Sequence, residues 1–444
     1  MKALAIFFLL FSAAMSPALA QDTTDTAPIP YRDSTLRVTN ILIAGNELTK
    51  DFIIEREMTL KVGSLVTHDA VAYDINRIYS LQLFNKVDIQ VIPDSDKATL
   101  IVLVSERWYF YPFPILGFKD HTWQHVYYGA GVVHTNFRGR KELVSIQTAL
   151  GYDPFASVQY VNPVLDRAHN LFFSTKLLYS VQRNKSLVSL SNGPNFDERT
   201  YDGQVTLGKR FSIFSTTTAT VEYTHLNVSD NRAGRTLSPG GTDQFFSLNA
   251  SYIYDTRDLG EYSRVGTFST VSISKFGIAN TYVDYQRYGF DFRRYIPVYF
   301  NSSFAFRIFG SAAQGGDVPN YGHVFFGYTD RIRGRFNTIV EGEDILGGKA
   351  ELRIPVIGPN YIRLDEIPIE QFRDIRYAMY FTIFGDAGTA WYRTQPLAID
   401  NALSGFGAGL NFLLSYSFVA RAEYAFGGPG FHHGQVILDL GASL

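Results

Sequence analysis

Three short stretches carry the residues that can do chemistry. Arg331-Ile332-Arg333-Gly334-Arg335-Phe336 lies in a long polar loop between two runs of alternating apolar and polar residues. Downstream stand Gly347-Gly348-Lys349-Ala350-Glu351-Leu352-Arg353-Ile354-Pro355 and Phe384-Gly385-Asp386-Ala387-Gly388. The chemistry is ionic rather than bond-making, because a guanidinium offers a planar fork of donors that both oxygens of a carboxylate can accept, a geometry no ammonium reproduces. Alternation with period two puts Glu351 on one face with Lys349 and Arg353, opposite Ala350, Leu352 and Ile354. It puts Asp386 with Tyr380 and Thr382, opposite Met379, Phe381 and Ile383. Both acids should point to the polar side, and the set reads as a loop arginine held by carboxylates inside a membrane barrel.

Enzyme signatures are missing. There is no His-Glu-x-x-His, Gly-x-Ser-x-Gly or phosphate-loop pattern. His432-His433 is the one histidine pair, and neighbours on a strand face opposite ways, so joint metal ligation is not expected. No metal, no cofactor and no enzymatic role are expected. With no cysteine, disulfides, thiolate metal sites and lipid attachment through a cysteine are excluded. The formal net charge of -2 argues against a general nucleic-acid binder.

The elements that position these residues follow from composition. A basic start at Lys2, an apolar core and Ala18-Leu19-Ala20 before Gln21 have the layout of a cleavable secretory signal over residues 1–20; the alternative is a membrane anchor, for which the apolar run is short. Past it no segment offers the ~18 unbroken apolar residues of a membrane helix. The chain is 15% aromatic and 18% charged, with 37 glycines and a mean hydropathy of -0.04. A soluble β-sandwich shares part of this profile, but a transmembrane β-barrel explains it better, with an apolar outward face, aromatic girdles and a polar interior.

Residues 21–35, rich in Thr, Asp and Pro, read as a flexible leader. A compact mixed segment follows over 36–106: a strand ending at Gly45-Asn46, a short helix that Thr49 can cap, a second helix carrying Val71, Ile75 and Ile78, then two alternating strands around a turn at 93–97. From 107 to 444 alternation dominates. Phe418, Ala420, Ala422, Tyr424 and Phe426 oppose Val419, Arg421, Glu423 and Ala425, and the runs at 219–224, 246–254 and 304–309 behave alike. About sixteen such runs fit, at roughly 21 residues per strand and connection, giving a 16-stranded antiparallel transmembrane β-barrel. Lys176, Glu222, Arg307 and Glu423 would need partners in a dry sandwich core, whereas a watery lumen accommodates them.

Two families of motif carry a resemblance. The strand-helix-helix-strand-strand order, with Gly45-Asn46, the stretch 74–84 (DINRIYSLQLF) and Lys86-Val87-Asp88, resembles a polypeptide-transport-associated (POTRA) domain. Asn136-Phe137-Arg138-Gly139, Tyr160-Val161-Asn162-Pro163, Tyr254-Asp255-Thr256-Arg257-Asp258 with Val265-Gly266-Thr267, and the three late stretches resemble, as an ordered set, the bacterial surface antigen (BamA–TamA) superfamily of outer-membrane barrels. The resemblance implies that Arg333, followed by Gly334, sits at the tip of a loop folded into the lumen and meets Glu351 and Asp386. One departure stands: Arg335 occupies the place of the aromatic that follows the motif glycine, and Phe336 comes one later. The resemblance also implies a periplasmic POTRA domain that accepts a client strand on a sheet edge, at Lys86, Val87, Asp88 and Ile89.

Residues 108–118 are expected to form the first barrel strand, yet contain Pro112 and Pro114, which donate no ladder hydrogen bond and are tolerated at sheet edges. The closing partner is expected at 435–444, where Val436, Leu438, Leu440, Ala442 and Leu444 face outward and Gly441 interrupts the inward set. Either this seam zips incompletely and permits lateral opening, or the prolines belong to a collar joining the two regions. The stretch 358–374, with Asp365, Glu366, Glu370 and Arg373, reads as a long turn that is either a partner site or a solvated insertion.

The expected function is that of an outer-membrane insertase or translocase whose clients are unfolded outer-membrane or secreted polypeptides. Outer-membrane lipids, with periplasmic or lipoprotein subunits, complete the expected partners; nucleic acid is not among them. The alternatives are a dedicated two-partner-secretion-type exporter and a passive outer-membrane pore.

Overall fold

In the computed structural model the described residues are 36–119, 124–260, 262–363, 366, 374–397, 402–414, 418–428 and 434–441. The signal and leader, His432-His433, Ala442, Leu444, Asp365, Glu370 and Arg373 lie outside the described residues. The N-terminal unit runs β1 (Arg37–Ala44), α1 (Asp51–Glu55), α2 (His68–Tyr79), β2 (Phe84–Asp94) and β3 (Lys97–Glu106). Its sheet has the order β1-β3-β2, with β1 parallel and β2 antiparallel to the central strand. Thr67 caps α2 by accepting from the Ala70 N–H at 3.2 Å, and the helix buries Val71 and Ile78 against the inward side chains Val87, Ile89, Leu100 and Val102. Asp74 is buried because its carboxylate accepts from the Thr59 and Leu60 N–H groups at 2.7 and 2.9 Å.

Thr49 does not cap α1. The N-cap is Lys50, with no side-chain bond, while the Thr49 hydroxyl bonds the Tyr109 hydroxyl and the Asn136 amide, each at 2.9 Å. A tertiary contact to the following region outbids the local cap.

That region comprises β4 (Phe110–Phe118), β5 (Val126–Phe137), β6 (Glu142–Gly151), β7 (Phe155–Asp166), β8 (Leu171–Arg183), the short α3 (Leu187–Ser191), β9 (Asp197–Arg210), β10 (Ser215–Val228), β11 (Thr242–Asp255), β12 (Gly266–Ile278), β13 (Tyr285–Pro297) and β14 (Ser303–Gly315). A small hairpin, β15 (Val324–Phe326) and β16 (Val340–Gly342), precedes β17 (Asp344–Arg363), β18 (Asp374–Trp391), β19 (Leu403–Leu414), β20 (Phe418–Gly427) and β21 (Gly434–Leu440). Apart from the β15–β16 hairpin, these strands form one 16-stranded antiparallel sheet in sequence order, from β4 to β21. The Asn411 amide on β19 reaches the Tyr262 hydroxyl from the β11–β12 turn at 3.0 Å, so opposite walls meet and the sheet curls into a barrel.

The alternation read from the sequence is the alternation of inner and outer faces. Leu177, Val221, Leu248, Ile273, Ile383 and Leu438 stand exposed on outer faces, while Glu351, Arg353, Thr382, Asp386 and Glu423 are buried inside. So continuous an apolar belt around a polar interior fits lipid outside and not water. Among the described residues no helix is long and apolar enough to cross a membrane.

The N-terminal unit is docked on the barrel end that carries the β5–β6, β7–β8, β9–β10 and β11–β12 turns. Val164 and Leu259 join its apolar core. Glu57, just after α1, takes a fork of bonds from Arg210 at 2.5 and 2.8 Å and another from Arg77 at 3.0 Å. Burial alone would raise the Glu57 carboxyl; the hydrogen bonds and charge of Arg210, with Lys141 and Arg77, instead hold it down at about 2.

Among the described residues β21 runs Gly434–Leu440 and Gly441 follows it at φ +101°; the last three positions of the expected strand lie outside the described residues. One expectation about strand limits needs correction. The stretch from 358 is strand as far as Arg363, not turn: β17 and β18 run on as a two-stranded ribbon past the last residue that β14 pairs, Arg353.

Candidate functional site

Residues 316–343, between β14 and β17, fold back into the barrel instead of standing on its rim. Phe326 is fully buried on a wall stripped of side chains, since a Cβ at Gly347 or Gly388 would strike its ring. Ile332 closes the same cluster with Phe309, Ile345 and Ala390. At the tip Gly334 has φ +85°, and a Cβ there would strike the Phe426 carbonyl. On the wall, a Cβ at Gly405 would strike the Arg333 carbonyl oxygen, and one at Gly427 that of Gly334. Glycines on both sides allow backbone to lie on backbone, which places the Arg333 side chain among the strands rather than above them.

Arg333 is 3% exposed and meets three carboxylates. Its Nε and Nη2 donate to Oδ2 and Oδ1 of Asp386 at 2.7 and 2.6 Å, and its backbone N–H adds a 3.1 Å bond to Oδ2. Its Nη1 donates to Glu351 Oε1 at 2.6 Å and to Glu423 Oε1 at 3.1 Å. Phe384 lies beneath the guanidinium, 3.6 Å from Cζ to the ring centroid. Two further arginines balance the acids. Arg353 donates through Nε to Glu351 Oε2 at 3.0 Å, and Arg421 through Nη1 to Glu423 Oε2 at 3.2 Å. Guanidinia and carboxylates therefore alternate, which is how a cluster this deeply buried avoids an uncompensated charge. What the arrangement does is fasten the loop tip to three strands, through Glu351 on β17, Asp386 on β18 and Glu423 on β20.

The structure brings Arg333, Gly334, Glu351 and Asp386 together. Glu423 is the partner that sequence reasoning missed, although its place on the face of Val419 and Ala425, opposite Ala422 and Tyr424, had already turned it inward. The departure at Arg335 resolves locally: Arg335 runs along Gly427 and Gly428, Phe336 carries the Arg331 guanidinium 4.3 Å above its ring, and the ring under Arg333 comes from β18.

The other predicted residues lie elsewhere. Lys86, Val87, Asp88 and Ile89 are on β2, an edge strand whose only ladder among the described residues is with β3. Pro112 and Pro114 are on β4, at one end of the barrel sheet, and Gly441 follows β21 at the other; among the described residues no register joins β4 to β21. The Thr135 N–H bonds the Tyr109 carbonyl and the Lys119 N–H the His125 carbonyl, both at 2.9 Å, so odd-numbered residues of this strand bond β5. Pro112 and Pro114 are even-numbered, and the donors they lack are missing from the free edge.

Residues 136–433, more than half of the chain, match the Omp85 superfamily domain. The chain belongs to the Omp85 superfamily. Residues 36–107 match the POTRA family, described as a surface antigen variable number repeat. BamA from Haemophilus ducreyi lacking POTRA domains 1-3 is similar in fold, with 17% identity and a TM-score of 0.54 over 91% of this chain and 83% of that one. CdiB from Escherichia coli is similar too, at 9% identity and a TM-score of 0.57 over 91% and 76%. Omp85 proteins are outer-membrane barrels that insert or transport polypeptides, so the N-terminal unit is a POTRA domain and the wall faces lipid.

Proposed function

We propose that this Omp85 protein is an outer-membrane insertase or translocase. Its POTRA domain faces the periplasm and receives unfolded polypeptide along the free edge of β2 at Lys86 to Ile89, by backbone pairing. The client then passes to the barrel and leaves through the seam between β4 and β21. Arg333 with Gly334, held by Glu351 and Asp386, locks the folded-back loop while this happens. The observation that carries the reading is the donor-depleted edge of β4: a strand lacking donors at Pro112 and Pro114 closes weakly on its partner and leaves room for an incoming strand.

A dedicated exporter of a single partner would use the same barrel but pass its client through the lumen. A passive pore would need neither the POTRA domain nor a loop fastened across its own channel. The discriminating experiment reconstitutes the purified protein in liposomes and supplies a urea-unfolded outer-membrane barrel. Faster folding of that client than in empty liposomes supports insertion. No acceleration, with a steady wide conductance in planar bilayers, would replace it by the pore.

A further inference from the structure

Arg333 Nη1 bonds two carboxylates, Glu351 and Glu423, and each continues into a different part of the molecule. From Glu351 the path goes to Arg353, buried at 1% exposure, whose Nη1 donates to the Ser263 carbonyl at 2.9 Å and whose Cζ lies 4.1 Å from the Tyr262 ring centroid. Tyr262 and Ser263 belong to the β11–β12 turn, which enters the barrel from the POTRA end. The same turn is fastened to the POTRA domain: Leu259 sits in its apolar core, the Tyr73 hydroxyl donates to the Thr256 carbonyl at 2.9 Å, and the Gly260 N–H donates to the Ser80 hydroxyl at 3.2 Å. From Glu423 the path goes to Arg421, whose Nη2 donates to Asp439 on β21 at 2.6 Å. The loop tip touches β21 as well, through the Phe336 N–H on Gln435 Oε1 at 3.3 Å and packing beside Ile437.

We propose that Arg353 is a positioning residue that couples POTRA docking to the closure of β21, through Glu351, Arg333, Glu423 and Arg421. Asp386 grips the other side of the Arg333 guanidinium, so Nη1 cannot follow one acid without changing its hold on the other. A displacement of the β11–β12 turn therefore reaches the seam strand as a change in charge-assisted bonds, without requiring the wall between to deform. Beside the turn lies a cavity of about 80 Å³, bordered by Asn76, Tyr79, Asp258, Tyr262 and Arg376. A client strand arriving on the POTRA domain would thereby loosen β21 before it reaches the barrel.

The inference rests on β4–β21 being the seam, and one measurement separates the two ideas. Hydrogen exchange is followed by mass spectrometry on the full-length protein in lipid nanodiscs, comparing β21 with the mid-wall strand β11. In the native protein β21 exchanges faster than β11; equal protection would overturn the seam and with it the proposed function. In Arg353→Met, β21 exchange rises by about fivefold or more, the lower end of coupling between distant sites. Arg353→Lys keeps the charge but not the fork and gives a smaller rise, and it serves alone if the Met variant does not fold. Glu57→Gln, which weakens POTRA docking, raises β21 exchange as well, and the double variant with Arg353→Met rises no further than Arg353→Met alone. A native β21 rate in both Arg353 variants overturns the coupling while leaving the seam intact. So does an additive rise in the double variant, which would mean independent loosening.

Discussion

Arg333 and Asp386 form a fork-to-fork pair, with Nε and Nη2 on separate carboxylate oxygens at 2.7 and 2.6 Å. The Arg333 main chain adds a third bond to the same group. One acid thus fixes both the side chain and the backbone of the loop tip, whereas Glu351 and Glu423 share a single nitrogen.

Removing the guanidinium strands three acids in a closed space. Arg333→Ala should cost about 3–5 kcal/mol, as for other broken buried pairs, and release the loop. Arg331→Ala loses stacking on Phe336 and a 2.8 Å bond to the Tyr328 carbonyl, leaves the three acids paired, and should cost well under half as much. Protease cleavage within residues 327–339 of the folded protein measures the difference; equal susceptibility would contradict the assignment of Arg333.

The three acids are not equivalent. Asp386→Asn removes the charge and replaces one of the two oxygens that accept three bonds by a donor, and should free the loop almost as fully as Arg333→Ala. Glu423→Gln, at the longer 3.1 Å contact, should have the smaller effect. Thermal loss of the folded, heat-modifiable band on gels ranks the variants, and a larger shift for Glu423→Gln would reverse the hierarchy.

Backbone contact at the tip depends on missing side chains. Gly405→Ala puts a methyl against the Arg333 carbonyl and should expel the tip. Gly385→Ala, next to Asp386 on the same strand, meets nothing within 4 Å and should be silent. The proteolysis assay reads both, and an intact loop in Gly405→Ala would show that the wall can yield.

How much of this was legible follows from what alternation encodes. Period two tells which face Glu351, Asp386 and Glu423 occupy, and the inward charges with the repeat spacing give the number of strands. It does not tell the height of a residue along the barrel axis, because neighbouring strands are staggered; hence Glu423 was seen to face inward but not to reach Arg333. Nor does it reach residues whose partners are far away in the chain. Thr49 looked like a cap until Tyr109 claimed it, and the inward path of Tyr262 and Ser263 is set by Arg353, some ninety positions later. The stretch from 358 reads as turn in the sequence, yet two irregularities between Pro355 and Asn360 carry the ladder on to Arg363.

POTRA docking should be pH-dependent with a definite sign. The Glu57 carboxyl is held near 2, below its ordinary 4.5, so its contribution is complete above about 4.5 and is lost as pH falls towards 2. Exchange protection in α2 should be constant from pH 7 to 5 and decline below about 4.5, and Glu57→Gln should flatten that decline. An unchanged decline in the variant would assign it to other groups.

The most direct measurement of the central claim is a reversible disulfide across the seam, with cysteines at Leu116 on β4 and Leu438 on β21, both exposed on the outer face, which leaves both prolines in place. Client folding in liposomes should fall to the empty-liposome rate when the bond is formed and recover on reduction. Unchanged client folding with the bond fully formed would mean that clients do not leave between these two strands.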